Sequence, residues 1–88
     1  MDSFLEELKE DYEAWLWKTL QFYTDKELKK LAKNPYQLVN DSNQVDSFIY
    51  DYHYDDYTWY DIEKYKHQLV DVIKDILNEI LKERGISL

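Results

Sequence analysis

The chain has 88 residues, 44% of them apolar and 17% aromatic, with 11 basic and 19 acidic side chains that set a formal net charge of −8. That length fits one domain around one modest core, and so large an aromatic share excludes a disordered acidic tail. The lack of cysteine excludes disulfides, thiol nucleophiles and thiolate metal sites, while the acidic opening MDSFLEELKED and the lack of a long apolar run predict neither secretory leader nor membrane span, and hence a cytoplasmic protein.

With one glycine and one proline, the chain lacks the punctuation of an all-β domain. The expectation is a single acidic all-α domain over residues 1–88, a small bundle of three to four helices at about 3–23, 25–33, 42–54 and 59–84. The first helix is signalled by Ser3 with Glu6, a capping-box pair, and by Leu5, Leu8, Tyr12, Trp15, Leu16, Thr19 and Tyr23 at steps of three and four. In YTDKEL, Thr24 and Glu27 repeat the capping box, Tyr23 and Leu28 occupy the positions of a hydrophobic staple, and Pro35 predicts a stop at Asn34.

The third segment has two competing periods. Val45, Phe48, Ile49 and Tyr52 follow helical spacing behind Asp41 as cap with Gln44 three residues on, whereas Tyr50, Tyr52 and Tyr54 alternate with Asp51, His53 and Asp55 in a strand pattern. A lone strand has no partner here, so the helix is preferred, with a turn at Asp55 and Asp56. In the last helix Thr58 caps with Asp61, and Ile62, Tyr65, Leu69, Val72, Ile73, Ile76, Leu77, Ile80 and Leu81 form a wide apolar stripe that can face two neighbours or a neighbour and a dimer mate. Gly85 and Ile86 stand where a Schellman ending places them.

Charge is distributed unevenly. Residues 1–13 carry six acids and one lysine, residues 34–63 carry seven acids and no lysine or arginine, and the remainder is slightly basic. On the first helix Asp2, Glu6, Glu10 and Glu13 share one face, with Glu7 and Asp11 beside them. Such like-charged neighbours are mildly destabilising, and a solvated face and a partner-binding face are equal readings of them. The stretch DSFIYDYHYDDYTWYDIEKY holds six tyrosines, one tryptophan and six carboxylates in twenty residues. Polyanions such as nucleic acid and anionic membrane are repelled by it, so its complement is a cationic protein surface. Trp15, Phe48, Tyr65 and Trp59 are assigned to the core by their spacing with aliphatic neighbours, while Trp17 projects away from that face. The tyrosines left outside, bracketed by aspartates, suit arginine through carboxylate pairing and cation–π contact. The expected partner-binding residues are Asp46, Tyr50, Asp51, Tyr54, Asp55, Asp56, Tyr57, Tyr60 and Asp61, with Glu6, Glu10 and Glu13 as a secondary acidic face.

Catalytic signals are weaker. Asp51, His53, Asp55 and Asp56 offer an oxygen and nitrogen ligand set, but no second cluster elsewhere completes it, and neither metal nor cofactor is expected. His67 falls on the polar side of the last helix. The acids Asp71, Asp75, Glu79 and Glu83 lack the glutamate and histidine pairing of bundle metal sites and have Lys74 and Lys82 close by. No nucleophile, phosphate loop or acid–base pair stands out, so no enzymatic activity is expected.

Small size, lack of cysteine, strong acidity and tyrosine-rich helices together resemble the anti-CRISPR and antirestriction inhibitors of phages and mobile elements, several of which are DNA mimics. The chain is similar in size, charge and helical character to colicin-type nuclease immunity proteins, although DSFIYDY departs from their D-x-x-Y-Y pattern by placing Tyr50 four residues after Asp46. The resemblance implies a non-enzymatic inhibitor that occupies the basic nucleic-acid-binding surface of a nuclease or defence complex in a host cytoplasm, without binding nucleic acid or membrane itself. The alternatives are toxin immunity, a homodimeric structural or adaptor protein joined through the C-terminal helix, and a small metal-dependent enzyme using His53.

Overall fold

The computed structural model describes residues 3–52 and 57–87. In chain order they form α1 (Ser3–Leu20), α2 (Asp25–Lys33), α3 (Tyr36–Asn40), α4 (Ser42–Asp51), α5 (Trp59–Lys64) and α6 (Lys66–Arg84), with no strand among the described residues. The expected all-α class is therefore found, with more helices than the expected three to four.

Local chemistry explains most of the boundaries. Thr24 accepts from the Glu27 N–H at 3.1 Å while the Glu27 carboxylate accepts from the Thr24 N–H at 3.0 Å, closing the expected capping box. The bond from the Thr24 N–H, and secondarily the Thr24 hydroxyl, hold the Glu27 carboxyl below its ordinary value, so the stability this cap adds is present above that ordinary value and is lost as pH falls through the lowered one. Asn34, ahead of Pro35, ends α2 as expected. Asp41 caps α4 by accepting from the Asn43 N–H at 2.9 Å. Thr58 and Asp61 form a second reciprocal box, with the Thr58 N–H donating to Asp61 Oδ2 at 2.9 Å.

Four boundaries depart from expectation. Ser3 is itself the first residue of α1, so the cap position falls on residue 2, outside the described residues. α1 closes at Leu20 rather than Tyr23, because Phe22 and Tyr23 donate to the carbonyls three residues back and tighten the chain into a turn. α4 stops at Asp51, with non-helical Tyr52 as its C-cap, short of the expected Tyr54. The expected continuous last helix is divided at Tyr65, whose φ of −108° and ψ of 18° lie outside helical values. α3, between Pro35 and Asp41, was not expected, since five residues carry too little periodicity to announce a helix.

α6 packs chiefly on α1 and also meets α2, α3 and α5. α1 and α6 run parallel: the Phe4 ring lies 6.2 Å from that of Tyr65 at one end, and at the other Arg84 donates to the Gln21 and Tyr23 carbonyls at 3.0 and 2.7 Å. Between them lie Leu8, Leu16 and Leu20 of α1 and Leu69, Val70, Ile73, Ile76, Leu77, Ile80 and Leu81 of α6, all buried. Most of the stripe on α6 is thus buried within one chain, with Val72 left half-buried at its edge.

α4 closes on the same buried face of α1 through aromatic packing. Phe48 is fully buried, with ring centroids 5.0 Å from Tyr12, 5.8 Å from Trp15, 5.8 Å from Tyr52 and 5.7 Å from Tyr57. Burial pushes the Tyr12 hydroxyl well above its ordinary value, with Tyr23 adding to the shift. α6 ends in a Schellman motif: Ile86 N–H donates to the Leu81 carbonyl at 2.9 Å and Gly85 N–H to that of Lys82 at 3.1 Å, with Gly85 at φ +66°.

Phe48→Ala is expected to cost about 3–5 kcal/mol in denaturant unfolding, because four rings lose their common neighbour. Gly85→Ala is expected to cost only about 1 kcal/mol, since nothing lies within 4 Å of an added Cβ and the penalty is left-handed backbone alone.

Candidate protein-binding surface

The acidic aromatic stretch divides between core and surface. α4 turns Val45 and Phe48 inward, leaving Asp46, Tyr50 and Asp51 exposed. α5 buries Ile62 and exposes Trp59 and Tyr60. The two helices meet, and the Trp59 Nε1–H donates to Asp46 Oδ1 at 2.6 Å. This charge-assisted bond fixes the indole against α4 while leaving it 44% exposed. Tyr50, one turn beyond Asp46, is 81% exposed, and Tyr60, beside Trp59, is 71% exposed. Two acids, an indole and two phenols thus occupy adjoining helices.

Trp59 corrects the core expectation. The spacing of Trp59, Ile62, Tyr65 and Leu69 continues one stripe only along an unbroken helix, and the break at Tyr65 removes that condition. Its exposed role was missed; the available signal was a helix-start indole two residues behind a paired Asp61, with an aspartate on a neighbouring predicted helix to receive its N–H.

Tyr57 is a correction in the other direction. Expected among the binding residues, it is buried to 2% exposure, stacks on Phe48, lies 5.7 Å edge-on to Phe4 and donates its hydroxyl to Asp11 Oδ2 at 2.6 Å. It anchors the segment before α5 to α1. Asp61 is likewise occupied by the α5 cap. Tyr54, Asp55 and Asp56, with His53 of the weighed metal set, lie outside the described residues.

Other candidates are placed more simply. Glu6, Glu10 and Glu13 are exposed on α1 along the edge that faces Val72, Asp75 and Ile76 of α6. His67 is exposed, as expected, yet its Nδ1 shares a 2.7 Å hydrogen bond with the Tyr36 hydroxyl, with the rings edge-on at 5.7 Å, so it links α3 to α6. Asp71, Asp75, Glu79 and Glu83 are exposed on α6. Among the described residues no group of three or more histidines or carboxylates has the geometry of a metal site, and no helix is long and apolar enough to cross a membrane.

Comparison with protein-family models, curated proteins and solved structures finds no match to this chain.

Because Tyr57 and Asp11 are 46 residues apart and joined at 2.6 Å, Tyr57→Phe and Asp11→Asn are each expected to destabilise the fold. A double-mutant cycle in urea should give a coupling of about 1–2 kcal/mol; additive effects would show that the bond contributes little.

Proposed function

We propose that this protein is a non-enzymatic inhibitor that binds the basic nucleic-acid-binding surface of a nuclease or defence complex, taking the place of nucleic acid. The observation that carries the reading is the Asp46–Trp59 bond, which presents a tryptophan at the surface beside a carboxylate, flanked by the exposed Tyr50 and Tyr60. A rigid aromatic group next to a fixed negative charge is what an arginine or lysine side chain on a nucleic-acid groove recognises, by stacking and pairing at once. Residues 34–63 contain no lysine or arginine, so the surrounding field attracts a cationic partner and opposes nucleic acid itself. Phage inhibitor and toxin-immunity roles both use this chemistry and differ in the nuclease engaged. The dimeric adaptor has less in its favour, because all of the α6 stripe but Val72 is buried against the chain's own helices and both copies carry −8.

The test is affinity capture from a bacterial lysate at low and high salt, with and without added DNA or RNA, followed by surface plasmon resonance on the captured protein. The expected partner is a nucleic-acid-binding protein released by salt and displaced by nucleic acid. Asp46→Asn with Asp51→Asn should chiefly slow association, whereas Trp59→Ala or Tyr60→Ala should speed dissociation by about tenfold or more. A partner retained at high salt, undisplaced by nucleic acid and indifferent to these substitutions would overturn the proposal.

A further inference from the structure

On the face of α1 and α6 away from α4, the parallel helices leave a groove that no described element fills. One hollow, of about 850 Å³, lies among Glu13 and Trp17 of α1, Asp75, Ile76 and Glu79 of α6, and Ile86 beyond it. A second, of about 250 Å³, continues it between Glu6, Glu10 and Val72, sharing Glu13, Asp75 and Ile76 as a common wall. From Val72 to Ile86 the groove follows α6 for roughly 20 Å, the length of about four helical turns.

The groove has an order that acidity alone would not produce. Its floor is apolar: Trp17, Val72 and Ile86 are half-buried against the core edge, with Ile76 and Leu81 beneath. Ile86 is set at its end by the bond from its N–H to the Leu81 carbonyl, so the helix terminator also builds the end wall. Both rims are acidic, Glu6, Glu10 and Glu13 on one helix and Asp75 and Glu79 on the other, against Lys9 and Lys82. A hollow between two packed helices is where a third helix docks in a bundle.

We infer that the α1–α6 groove is a docking site for a cationic amphipathic helix of a partner protein, with apolar residues at i, i+3, i+4 and i+7 on the floor and lysine or arginine flanking that stripe on both sides. Charge complementarity selects the occupant. A second copy of this chain is disfavoured, because both copies carry −8 and because lysine-rich α2 buries Leu28 and Leu31 and so has no free apolar stripe to lay in the groove. The inference goes beyond the proposed function and uses none of the exposed α4–α5 residues, so either stands if the other fails.

The test uses synthetic peptides of about 18 residues, long enough to cover the groove. The first is a leucine and lysine amphipathic helix, the second the same composition scrambled so that no apolar face forms, and the third a leucine and glutamate helix. Titration calorimetry on the intact protein should show one-to-one binding of the first, at least tenfold weaker binding of the second and none of the third. Amide and indole resonances of Glu13, Trp17, Asp75 and Glu79 should shift on binding. Glu13→Lys combined with Glu79→Lys, both exposed, should weaken the first peptide by about tenfold or more, with an unchanged circular dichroism spectrum. Equal affinity for ordered and scrambled peptides, resonance shifts confined to α4 and α5, or self-association at micromolar concentration in sedimentation without peptide would each overturn the inference. Resonance mapping on the unsubstituted protein decides the matter even if the double variant misfolds.

Discussion

Phe48 decides which aromatic residues of this chain become structure and which remain available. Its ring packs with those of Tyr12, Trp15, Tyr52 and Tyr57, joining α1, α4 and the segment before α5 at one buried point. With α4 held against α1, residues on its far side, Asp46, Tyr50 and Asp51, face outward. Tyr57, held from below by Phe48 and from the side by Asp11, delivers the chain to Thr58 and fixes where α5 begins. The Asp46–Trp59 bond is possible only after both placements are made. Rings of comparable character thus divide between solvent-exposed and buried positions, and the buried Tyr12, Trp15 and Tyr57 all pack on one phenylalanine.

The fold rests on apolar burial, helix caps and a few long-range hydrogen bonds more than on charge pairing. Ion pairs such as Lys66–Glu63 at 2.9 Å and Arg84–Asp25 at 3.2 Å join exposed or half-exposed side chains and add little. Arg84 contributes more by another route, since its guanidinium also meets the Gln21 and Tyr23 carbonyls just past the end of α1 and ties that turn to the last turn of α6. Excess carboxylates are therefore not needed for cohesion. They collect on the α4–α5 surface and along the α1–α6 groove, where they repel one another and attract cations.

Features determined by neighbours in sequence were legible. The Thr24 and Thr58 capping boxes, the Asp41 cap, the stop before Pro35 and the Schellman ending at Gly85 and Ile86 each require only residues a few positions apart. Of the core face of α1, Leu8, Tyr12, Trp15 and Leu16 were readable from spacing, whereas the buried Leu20 was not in the expected stripe. What escaped was set across the chain. Tyr57 follows two aspartates and has no apolar periodicity of its own; its burial comes from Asp11 and Phe48. The break at Tyr65 leaves helical side-chain spacing intact on both sides while taking one residue out of helical geometry, so Trp59 was assigned to a stripe it does not join. Of the candidate surface, Asp46, Tyr50, Asp51 and Tyr60 were identified from sequence and are exposed, whereas Trp59 required the meeting of α4 and α5.

The three tryptophans occupy three distinct electrical and solvent environments. Trp15 is buried with no hydrogen-bond partner for its indole N–H among the described residues, Trp17 is half-buried at the groove, and Trp59 is exposed and bonded to a carboxylate. An indole excited state responds to the polarity and charge around it, so the molecule carries three intrinsic optical reporters, one for the integrity of the aromatic centre and one for each candidate contact surface. Replacing any two by phenylalanine would leave a single-colour sensor at the third, allowing events at the groove, the α4–α5 surface and the core to be timed separately in the same chain without an attached dye.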